Sequence, residues 1–368
     1  MTSLIRLCAV LLQAIRPRAL VQIDSVGYEF LAKVSGMDTL HERELYKLLH
    51  SSAFSGVISV TVDGQQRIEF AGGLANRALE RPNTLATRFA TASVSKMFTA
   101  VCIGRLVDAG RCKFEDLLGD IVPSLRCHFD QDFSLESLLS HCSGLGDYID
   151  DDAELPFAGM CVTSLTCPQA FLPYVLQAKR REAGKFHYSS AGFILLGLVI
   201  ESLTEQPYPA AIARWVTEPA GMRLTGFPSM DIPPEDVAIG YLRNGSPNIG
   251  HLPSVGGADG GIVTNVEDLL RFFRCLREGR LLRDSTREFL WRSVSTISSS
   301  RAYGHGFYID HAGGQTWYGH TGSDPGISVR VACSMASESS IIILCNCDSA
   351  AFSVFRLVLE WLDETICR

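Results

Sequence analysis

A serine and a lysine stand three residues apart in the segment Ser93-Val94-Ser95-Lys96. Residues at positions i and i+3 share one face of a helix, so the amine can reach the hydroxyl. A serine hydroxyl is a weak nucleophile at neutral pH and needs a neighbouring base. Burial disfavours an ammonium group, and a neutral amine accepts a proton. The spacing therefore predicts nucleophilic catalysis, against the simpler alternative of a helix-capping serine followed by a solvated lysine.

The elements around this pair predict how it is held. Residues 94–109 form a predicted helix that ends at Gly110. Its apolar face consists of Phe98, Val101, Cys102, Leu106 and Val107. Ser93 then lies at the helix N-terminus, where backbone N–H groups favour a developing negative charge. The same helix therefore predicts the lysine contact and a stabilising site for an oxyanion.

Short strands are predicted near both ends of the chain. Residues 56–62 are β-branched and alternate in polarity, Asp63-Gly64 supplies a turn, and residues 67–72 return as the second strand of a hairpin. The C-terminal part predicts four strands and a last helix, at Tyr303–Ile309, Gln315–Gly319, Ser328–Ser334, Ser340–Cys345 and about 350–364.

The middle of the chain, from about residue 115 to 290, is predicted to be mostly helical with long loops. Ser134 caps a short helix, Ala191–Leu203 reads as a buried helix, and Asn265 opens a helix over Val266–Arg277. Strands at both ends with helices between them predict an α+β fold. We expect an antiparallel sheet that is built from both termini and flanked by helices, with an inserted, mostly helical lobe.

The same pattern suggests boundaries for these parts. We expect residues 1–38 to form an N-terminal extension, residues 39–125 and 290–368 to form the sheet lobe, and residues 126–289 to form the helical lobe. An active site would then lie in the cleft between the lobes, where pockets commonly form.

Composition excludes several function classes. The chain has 368 residues, with 33 basic and 40 acidic side chains and a formal net charge of −7, which argues against nucleic-acid binding. The longest apolar run, Phe193–Ile200, is far shorter than the ~20 residues of a membrane-spanning helix. Phosphate-loop and dinucleotide-binding signatures are absent, and we expect no cofactor and no metal. We expect a cytoplasmic location, with a weak targeting segment at the N-terminus as the alternative.

Five segments, in this order, resemble motifs of the serine β-lactamase and penicillin-binding-protein superfamily. They are Phe89–Ala100, Leu138–Leu145 ("LLSHTSGL" in the family), Tyr188–Phe193 ("Y-S-N-x-G-Y"), 256–269 ("A-G-G-L-x-S-T-x-x-D-L") and Gly319–Gly326 ("G-H-x-G-x-x-P-G"). The resemblance is strongest to the class C-like branch, which includes esterases, D-aminopeptidases and transesterases.

The resemblance implies roles for the reacting groups. Ser93 would be the acylated nucleophile, Lys96 its proton-accepting partner, and Tyr188 a phenol that passes a proton to the leaving group. Which of Lys96 and Tyr188 is the working base stays open at this point. The backbone N–H groups of Ser93 and Ser323 would form the oxyanion hole.

The resemblance also implies that Ser190, His320 and Gly322 contact the substrate, and two of these depart from the family pattern. Ser190 stands where the family has asparagine, and a hydroxyl offers less to a substrate amide than a carboxamide does. His320 stands where β-lactamases have lysine, and histidine is mostly neutral at pH 7. Both changes favour esters or acyl transfer over β-lactam hydrolysis.

Two polar groups outside this set invite a functional interpretation. His141, inside the second motif, suggests a second catalytic site, but the resemblance implies a structural role. Asp147, Asp150 and Asp151 suggest a metal site, for which a solvated acidic loop is the simpler interpretation.

We therefore expect a serine hydrolase that forms an acyl-enzyme on Ser93. Its partner would be a small-molecule acyl substrate, with an esterase or acyl transferase activity on small esters. One alternative is a D-amino-acid peptidase, a peptidyl transferase or a weak β-lactamase. Another is a non-catalytic binding or assembly homologue, which Ser190 would favour and the retained Ser93, Lys96 and Tyr188 oppose. The oligomeric state stays open.

Overall fold

The computed structural model describes residues 33–34, 40–51, 53–129, 132–149, 157 and 159–366. Most of the predicted N-terminal extension, including its weak targeting segment, lies outside the described residues. The same holds for Asp150 and Asp151 of the predicted acidic loop.

The strands, numbered along the chain, are β1 (Lys33–Val34), β2 (Gly56–Val62), β3 (Gln65–Gly72), β4 (Leu74–Asn76), β5 (Arg81–Pro82), β6 (Phe89–Ala90), β7 (Val263–Thr264), β8 (Ser295–Ser298), β9 (Arg301–Tyr303), β10 (Tyr308–Ala312), β11 (Gln315–Asp324), β12 (Ile327–Ser334) and β13 (Ser340–Cys345). The α-helices are α1 (Leu40–Leu49), α2 (Ser95–Asp108), α3 (Leu118–Ile121), α4 (Leu135–Leu139), α5 (Pro168–Val175), α6 (Ser190–Thr204), α7 (Tyr208–Ile212), α8 (Val266–Arg277), α9 (Asp284–Trp291) and α10 (Ala350–Ile366).

One large sheet is assembled from both ends of the chain. Its order is β1-β3-β2-β13-β12-β11-β10-β9-β8, and every neighbouring pair is antiparallel. The seam between the N- and C-terminal strands is the β2–β13 pair, in which Ile58 faces Ile343. This confirms the predicted α+β fold with a sheet built from both termini and flanked by helices.

Helices cover the two faces of this sheet and divide its apolar side chains into two cores. On one face, α1 and α10 pack on each other, and Trp361 and Leu45 belong to that core. The other face belongs to the larger core, which includes α2, α6 and α8. Helix α6 is buried on nearly all sides, which explains its almost uninterrupted apolar sequence.

Helix starts in the middle region follow the predicted capping residues. The Asn265 side chain accepts a hydrogen bond from the N–H of Asp268 at 3.0 Å, and α8 has the predicted bounds. The Ser134 side chain accepts from the N–H of Ser137 at 3.2 Å at the start of α4. These caps satisfy N–H groups that the first turn of a helix leaves unpaired.

Two predicted strands differ from the structure. The segment predicted as one strand over Tyr303–Ile309 is two strands, β9 and β10, separated by residues 304–307. Gly306 adopts a φ of +82°, and a Cβ at this position would lie 2.4 Å from the Cβ of Ala100 in α2, so the chain turns here against that helix. The strand predicted to end at Gly319 continues as β11 to Asp324.

No helix among the described residues combines the length and apolarity needed to cross a bilayer.

Candidate active site

The segment that carries Ser93 turns sharply from strand to helix. Strand β6 pairs with β7, a single 3₁₀ turn covers Ala92–Val94, and α2 begins at Ser95. Ala92 has a φ of +46°, a left-handed conformation that is uncommon for a residue with a side chain. This turn leaves Ser93 half-buried at the start of the helix, where the sequence predicted it. We refer to residues 91–96 as the nucleophile turn.

Backbone hydrogen bonds fix the nucleophile turn against the glycine-rich segment before β7. The N–H of Thr91 donates to the carbonyl of Ile262 at 3.0 Å, and the N–H of Gly261 donates to the carbonyl of Ala92 at 3.1 Å. The Ser95 hydroxyl accepts from the N–H of Ile262 at 2.7 Å. Ser93 therefore stands on backbone that is paired on both sides rather than on a loose loop.

Lys96 is fully buried and its amine contacts three acceptors. Nζ lies 3.1 Å from Ser93 Oγ, 3.2 Å from Ser190 Oγ and 2.7 Å from the carbonyl oxygen of Asp259. The carbonyl oxygen can only accept a hydrogen bond, whereas each hydroxyl can either accept or donate one. The arrangement thus suits a charged ammonium, and it equally suits a neutral amine that receives the Ser93 proton.

Tyr188 lies beside this amine. Lys96 Nζ is 4.9 Å from the centroid of the Tyr188 ring and 5.5 Å from that of Phe193. The Tyr188 ring also packs at 4.3 Å from the ring of His141. Tyr188 precedes α6, whereas Lys96 belongs to α2, so folding brings two distant segments to one point.

The next turn of the chain positions Ser190 through the start of α6. The Ser189 side chain caps the helix by accepting from the N–H of Gly192 at 3.2 Å. Asp147 accepts from the N–H groups of Ser190 at 2.7 Å and Ala191 at 3.1 Å. The prediction that Asp147 belongs to a solvated acidic loop is therefore wrong, because its carboxylate is bound at a helix N-terminus that attracts negative charge.

Behind the site, three buried side chains form a continuous hydrogen-bonded chain. His141 Nδ1 accepts from the N–H of Ser189 at 3.1 Å, so its Nε2 carries the proton and donates to Tyr303 Oη at 3.1 Å. Tyr303 donates in turn to His320 Nε2 at 3.2 Å, and His320 Nδ1 donates to the carbonyl of Thr321 at 2.7 Å. We call His141, Tyr303 and His320 the histidine–tyrosine chain. The backbone N–H at one end of this chain can only donate, and the backbone carbonyl at the other end can only accept. Each hydrogen bond in the chain therefore has a fixed donor and a fixed acceptor.

Electrostatics agree with this proton arrangement. Burial, followed by repulsion from Lys96, holds the pKa of His141 and of His320 well below the usual value for histidine. Burial also raises the pKa of Tyr303 well above that of a free phenol. All three side chains are therefore uncharged at neutral pH.

His320, for which the sequence predicts a substrate contact, is buried in this geometry. Only 2% of the residue is exposed, and both ring nitrogens already have partners within the protein. In this arrangement the ring can meet a substrate only through carbon atoms, because no ring nitrogen is left to form a hydrogen bond. His320 lies beside Tyr188 instead, with 6.3 Å between the ring centroids.

Gly322 and Ser323 lie on β11, which runs along the nucleophile turn. A Cβ on Gly322 would lie 2.1 Å from the carbonyl oxygen of Thr91, so only glycine allows this close approach. Ser323, the next residue, is exposed. The role predicted for Gly322 was a substrate contact, and the structure adds a packing requirement at the same position.

A cleft of about 530 Å³, a volume that includes its open mouth, begins at Ser93. Its walls are largely apolar, with Phe157, Phe171 and Leu252 among the lining residues. Asp259 also lines it, and the Tyr148 hydroxyl donates to Asp259 Oδ2 at 2.6 Å.

Sequence reasoning missed Tyr148, Asp259 and Tyr303. Two weak signals were present. If Gly260-Gly261 is aligned with the glycine pair of the family pattern A-G-G-L, Asp259 occupies the position of the alanine in that pattern. Tyr303 directly precedes the Gly304-His305-Gly306 segment. For Tyr148 the sequence offers no signal of this kind.

Comparison with known proteins gives a consistent picture. The Beta-lactamase family model matches residues 41–360. PbpX of Bacillus subtilis (strain 168) is 26% identical over 315 residues, which are 84% of this chain and 75% of PbpX.

Solved structures agree with this match. The penicillin binding protein from Bacillus halodurans has a TM-score of 0.79 at 30% identity, and the match covers 86% of this chain and 99% of that protein. The D-stereospecific amidohydrolase from Streptomyces sp. has a TM-score of 0.73 at 23% identity, covering 87% of this chain and 97% of that one, which is a likeness of fold. Because the family match includes the nucleophile turn, α6 and β11, this chain belongs to the beta-lactamase family of serine hydrolases.

Proposed function

We propose that this protein hydrolyses or transfers small acyl esters through an acyl-enzyme on Ser93. The observation that carries the proposal is the buried Lys96 amine 3.1 Å from Ser93 Oγ, with the Tyr188 ring beside it. A serine becomes a useful nucleophile when a neighbouring group can take its proton, and this contact supplies that group.

The reaction would proceed in two balanced halves. Ser93 Oγ attacks the acyl carbon while its proton passes to Lys96, and a tetrahedral oxyanion forms between the N–H groups of Ser93 and Ser323. The C–O bond to the alcohol then breaks, and Tyr188 passes a proton to the leaving alkoxide. Water or another alcohol then attacks the acyl-enzyme while Tyr188 takes up its proton. Lys96 returns its proton to Ser93 Oγ as the acyl–Oγ bond breaks, which restores the enzyme.

Two features support esters over β-lactams. Ser190 presents a single hydroxyl to the site, and that hydroxyl already contacts Lys96. His320 supplies no charge for a substrate carboxylate, because burial and Lys96 keep its pKa low. A charged lysine at this position would instead attract an anionic substrate.

The test is turnover of p-nitrophenyl butyrate combined with intact-protein mass spectrometry. We expect wild-type protein to release p-nitrophenol and to carry one butyryl group on Ser93 at early times. Ser93→Ala should lose both signals, while Ser124→Ala, at an exposed serine outside the site, should keep them. Turnover by Ser93→Ala equal to wild type would overturn the proposal, and absence of any adduct and turnover in wild type would favour a non-catalytic member of the family.

A further inference from the structure

The short segment before β7 is anchored to α2 and to the nucleophile turn on both sides of Asp259. The Thr99 hydroxyl donates to the carbonyl of Ala258 at 2.5 Å, and the N–H of Gly261 donates to the carbonyl of Ala92 at 3.1 Å. Asp259 lies between these two contacts and is 6% exposed. Its place beside the reacting groups is therefore set by the backbone and does not depend on its own side chain.

Asp259 meets the Lys96 amine through its backbone and also through its charge. Its carbonyl accepts from Nζ at 2.7 Å, which is the shortest of the three contacts of the amine. Burial raises the pKa of the Asp259 carboxyl, and the positive charge of Lys96 opposes that rise. Because the attraction between two opposite charges is mutual, the carboxylate favours the charged form of the amine. Water screens this pair weakly, since Lys96 is fully buried.

Tyr148 holds the carboxylate in one orientation. Its hydroxyl donates to Asp259 Oδ2 at 2.6 Å. Burial, followed by the neighbouring charge of Asp259, raises the pKa of Tyr148 well above that of a free phenol, so the hydroxyl keeps its proton and its role as a donor. A hydrogen bond donated to a carboxylate favours its charged form. The side chain of Asp259 is therefore a fixed group that carries a charge.

The other titratable groups around Lys96 come from several elements. Asp147 accepts from two N–H groups at the start of α6, where the helix dipole already balances its charge. Asp324 lies on the lining of the cleft. The remaining groups are two histidines that burial keeps neutral and two phenols: His141, His320, Tyr188 and Tyr308. Among the residues that the structure describes, Asp259 is therefore the acid whose backbone also binds the amine.

Two departures from the family pattern meet at this amine. Ser190 replaces an asparagine, and its hydroxyl lies 3.2 Å from Nζ. Asp259 replaces an alanine when the glycine pairs are aligned. The first change leaves a neutral hydroxyl beside the amine, and the second adds a full negative charge near it. Because a charge acts more strongly in a buried site than in water, we expect the second change to alter the chemistry of the lysine.

We propose that Asp259 is a positioning residue whose carboxylate stabilises the positive charge that Lys96 gains when it accepts the Ser93 proton. The proposal rests on the acyl-enzyme function above and adds a third member to its proton-accepting pair. In this step the O–H bond of Ser93 breaks, the proton binds Nζ, and Oγ forms its bond to the acyl carbon. Asp259 gains and loses no proton. The same carboxylate makes the resting ammonium harder to deprotonate, so activity should rise with pH.

The pH profile of Asp259→Asn tests this proposal. Asparagine removes the charge but keeps the backbone carbonyl and an acceptor for Tyr148. In the profile of kcat/KM for p-nitrophenyl butyrate, we expect the acid limb to move to lower pH by at least about one unit, because an opposite charge nearby shifts a titration by about that much or more. The limiting value at high pH should fall by about three- to tenfold, since the amine becomes a weaker base. Asp259→Ala, which restores the residue of the family pattern, should show the same shift and serves if the asparagine variant folds poorly.

Two control variants separate charge from packing. Tyr148→Phe removes the hydrogen bond to Asp259 but keeps the carboxylate, so its acid limb should stay near that of wild type. Asp63→Asn removes the same charge at an exposed turn outside the site and should match wild type. An unmoved acid limb in the Asp259 variants overturns the proposal. A shift in Tyr148→Phe as large as that in Asp259→Asn does so too, because the role of Asp259 would then be one of packing alone.

A direct titration of Lys96 decides the case without turnover. The chain has only six lysines, so carbon NMR of protein labelled at the lysine ε-carbons resolves few signals, and Lys96→Arg assigns the one that matters. We expect the midpoint of the Lys96 titration to fall by at least about one pH unit in Asp259→Asn. Equal midpoints in the two proteins overturn the proposal, even if Ser93-dependent ester hydrolysis stands. Absence of that hydrolysis would instead overturn the acyl-enzyme function, while a shifted midpoint would still establish the charge pair.

Discussion

The nucleophile turn and the histidine–tyrosine chain lie side by side, but they differ in whether their hydrogen bonds can reverse direction. In the nucleophile turn, the Lys96 amine meets two hydroxyls, each able to donate or accept. In the histidine–tyrosine chain, the backbone groups at both ends fix the direction of every hydrogen bond. The first region can therefore redistribute a proton at little cost, whereas the second cannot.

The two regions also differ in origin. The nucleophile turn comes from six consecutive residues, and its key contact joins positions three apart. The histidine–tyrosine chain joins residues from three distant segments, and its rings pack around Tyr188. We infer that the first region carries out the chemistry and that the second holds Tyr188 in place as a neutral, rigid wall.

Lys96→Ala tests the proton-accepting side of this contrast and should have the largest effect. Removing a general base commonly costs about 10²- to 10⁴-fold in rate, and we expect a loss of that size in kcat for p-nitrophenyl butyrate. Labelling of Ser93 by a fluorophosphonate should slow in parallel. Lys113→Ala, outside the site, is the control, and equal labelling rates in wild type and Lys96→Ala would remove the lysine from the activation of Ser93.

Gly322→Ala tests the close contact that joins β11 to the nucleophile turn. The new Cβ would collide with the Thr91 carbonyl, so either the strand or the turn must shift. A displacement of about 1 Å can cost about 10²-fold in rate, and we expect a loss of that order in kcat/KM. Gly226→Ala is the matched control, because a Cβ there would have no described atom within 4 Å apart from its own chain neighbours. A Gly322→Ala enzyme with wild-type kinetics would contradict the packing requirement.

Tyr303→Phe breaks the histidine–tyrosine chain at its centre. The variant leaves a donor on His141 and an acceptor on His320 without the partner they share, at a cost of about 1–3 kcal/mol in the free energy of unfolding. If the chain only positions Tyr188, kcat should fall by about tenfold, far less than in Lys96→Ala. Denaturant unfolding and steady-state kinetics measure the two effects, with Tyr46→Phe as the control. A loss as large as that of Lys96→Ala would mean that the chain takes part in proton transfer.

The pH dependence of stability tests whether the two histidines of the histidine–tyrosine chain are held neutral. Folding lowers the pKa of His141 and His320, so the native state keeps both neutral while the unfolded chain protonates them near pH 6.5. Their contribution is complete above that pH and is lost as the pH falls, by about 1.4 kcal/mol per pH unit for each imidazole.

Urea unfolding at several pH values between neutral and acid measures this slope. We expect His320→Gln to have a shallower slope than wild type, and the exposed His128→Gln to match wild type. Slopes that are identical in wild type and His320→Gln would contradict the buried, neutral histidine.

Much of the fold was predictable because its elements carry local signals. The alternating residues of β2 and the capping side chains of Ser134 and Asn265 identified elements at or near their observed bounds. The division of Tyr303–Ile309 into two strands was not predictable, because the turn at Gly306 depends on the approach of Ala100 in α2. That contact lies about two hundred positions away in the sequence.

The residues of the candidate site show the same difference between local sequence signals and contacts with distant segments. Asp147 was taken for a solvated acid because nothing nearby in the sequence indicates that it binds the N-terminus of α6. Asp259 and Tyr303 were missed for the same reason, since their partners are Tyr148, His141 and His320.

The sequence alone identified the family and predicted the nucleophile and its lysine, because these depend on short spacings and ordered motifs that are local in the chain. Only the tertiary structure decided which protons are fixed, which acids line the cleft and why position 322 must be glycine. The physical reason is that burial and hydrogen-bond partners are set by distant segments, and these set the charge and the direction of each polar group.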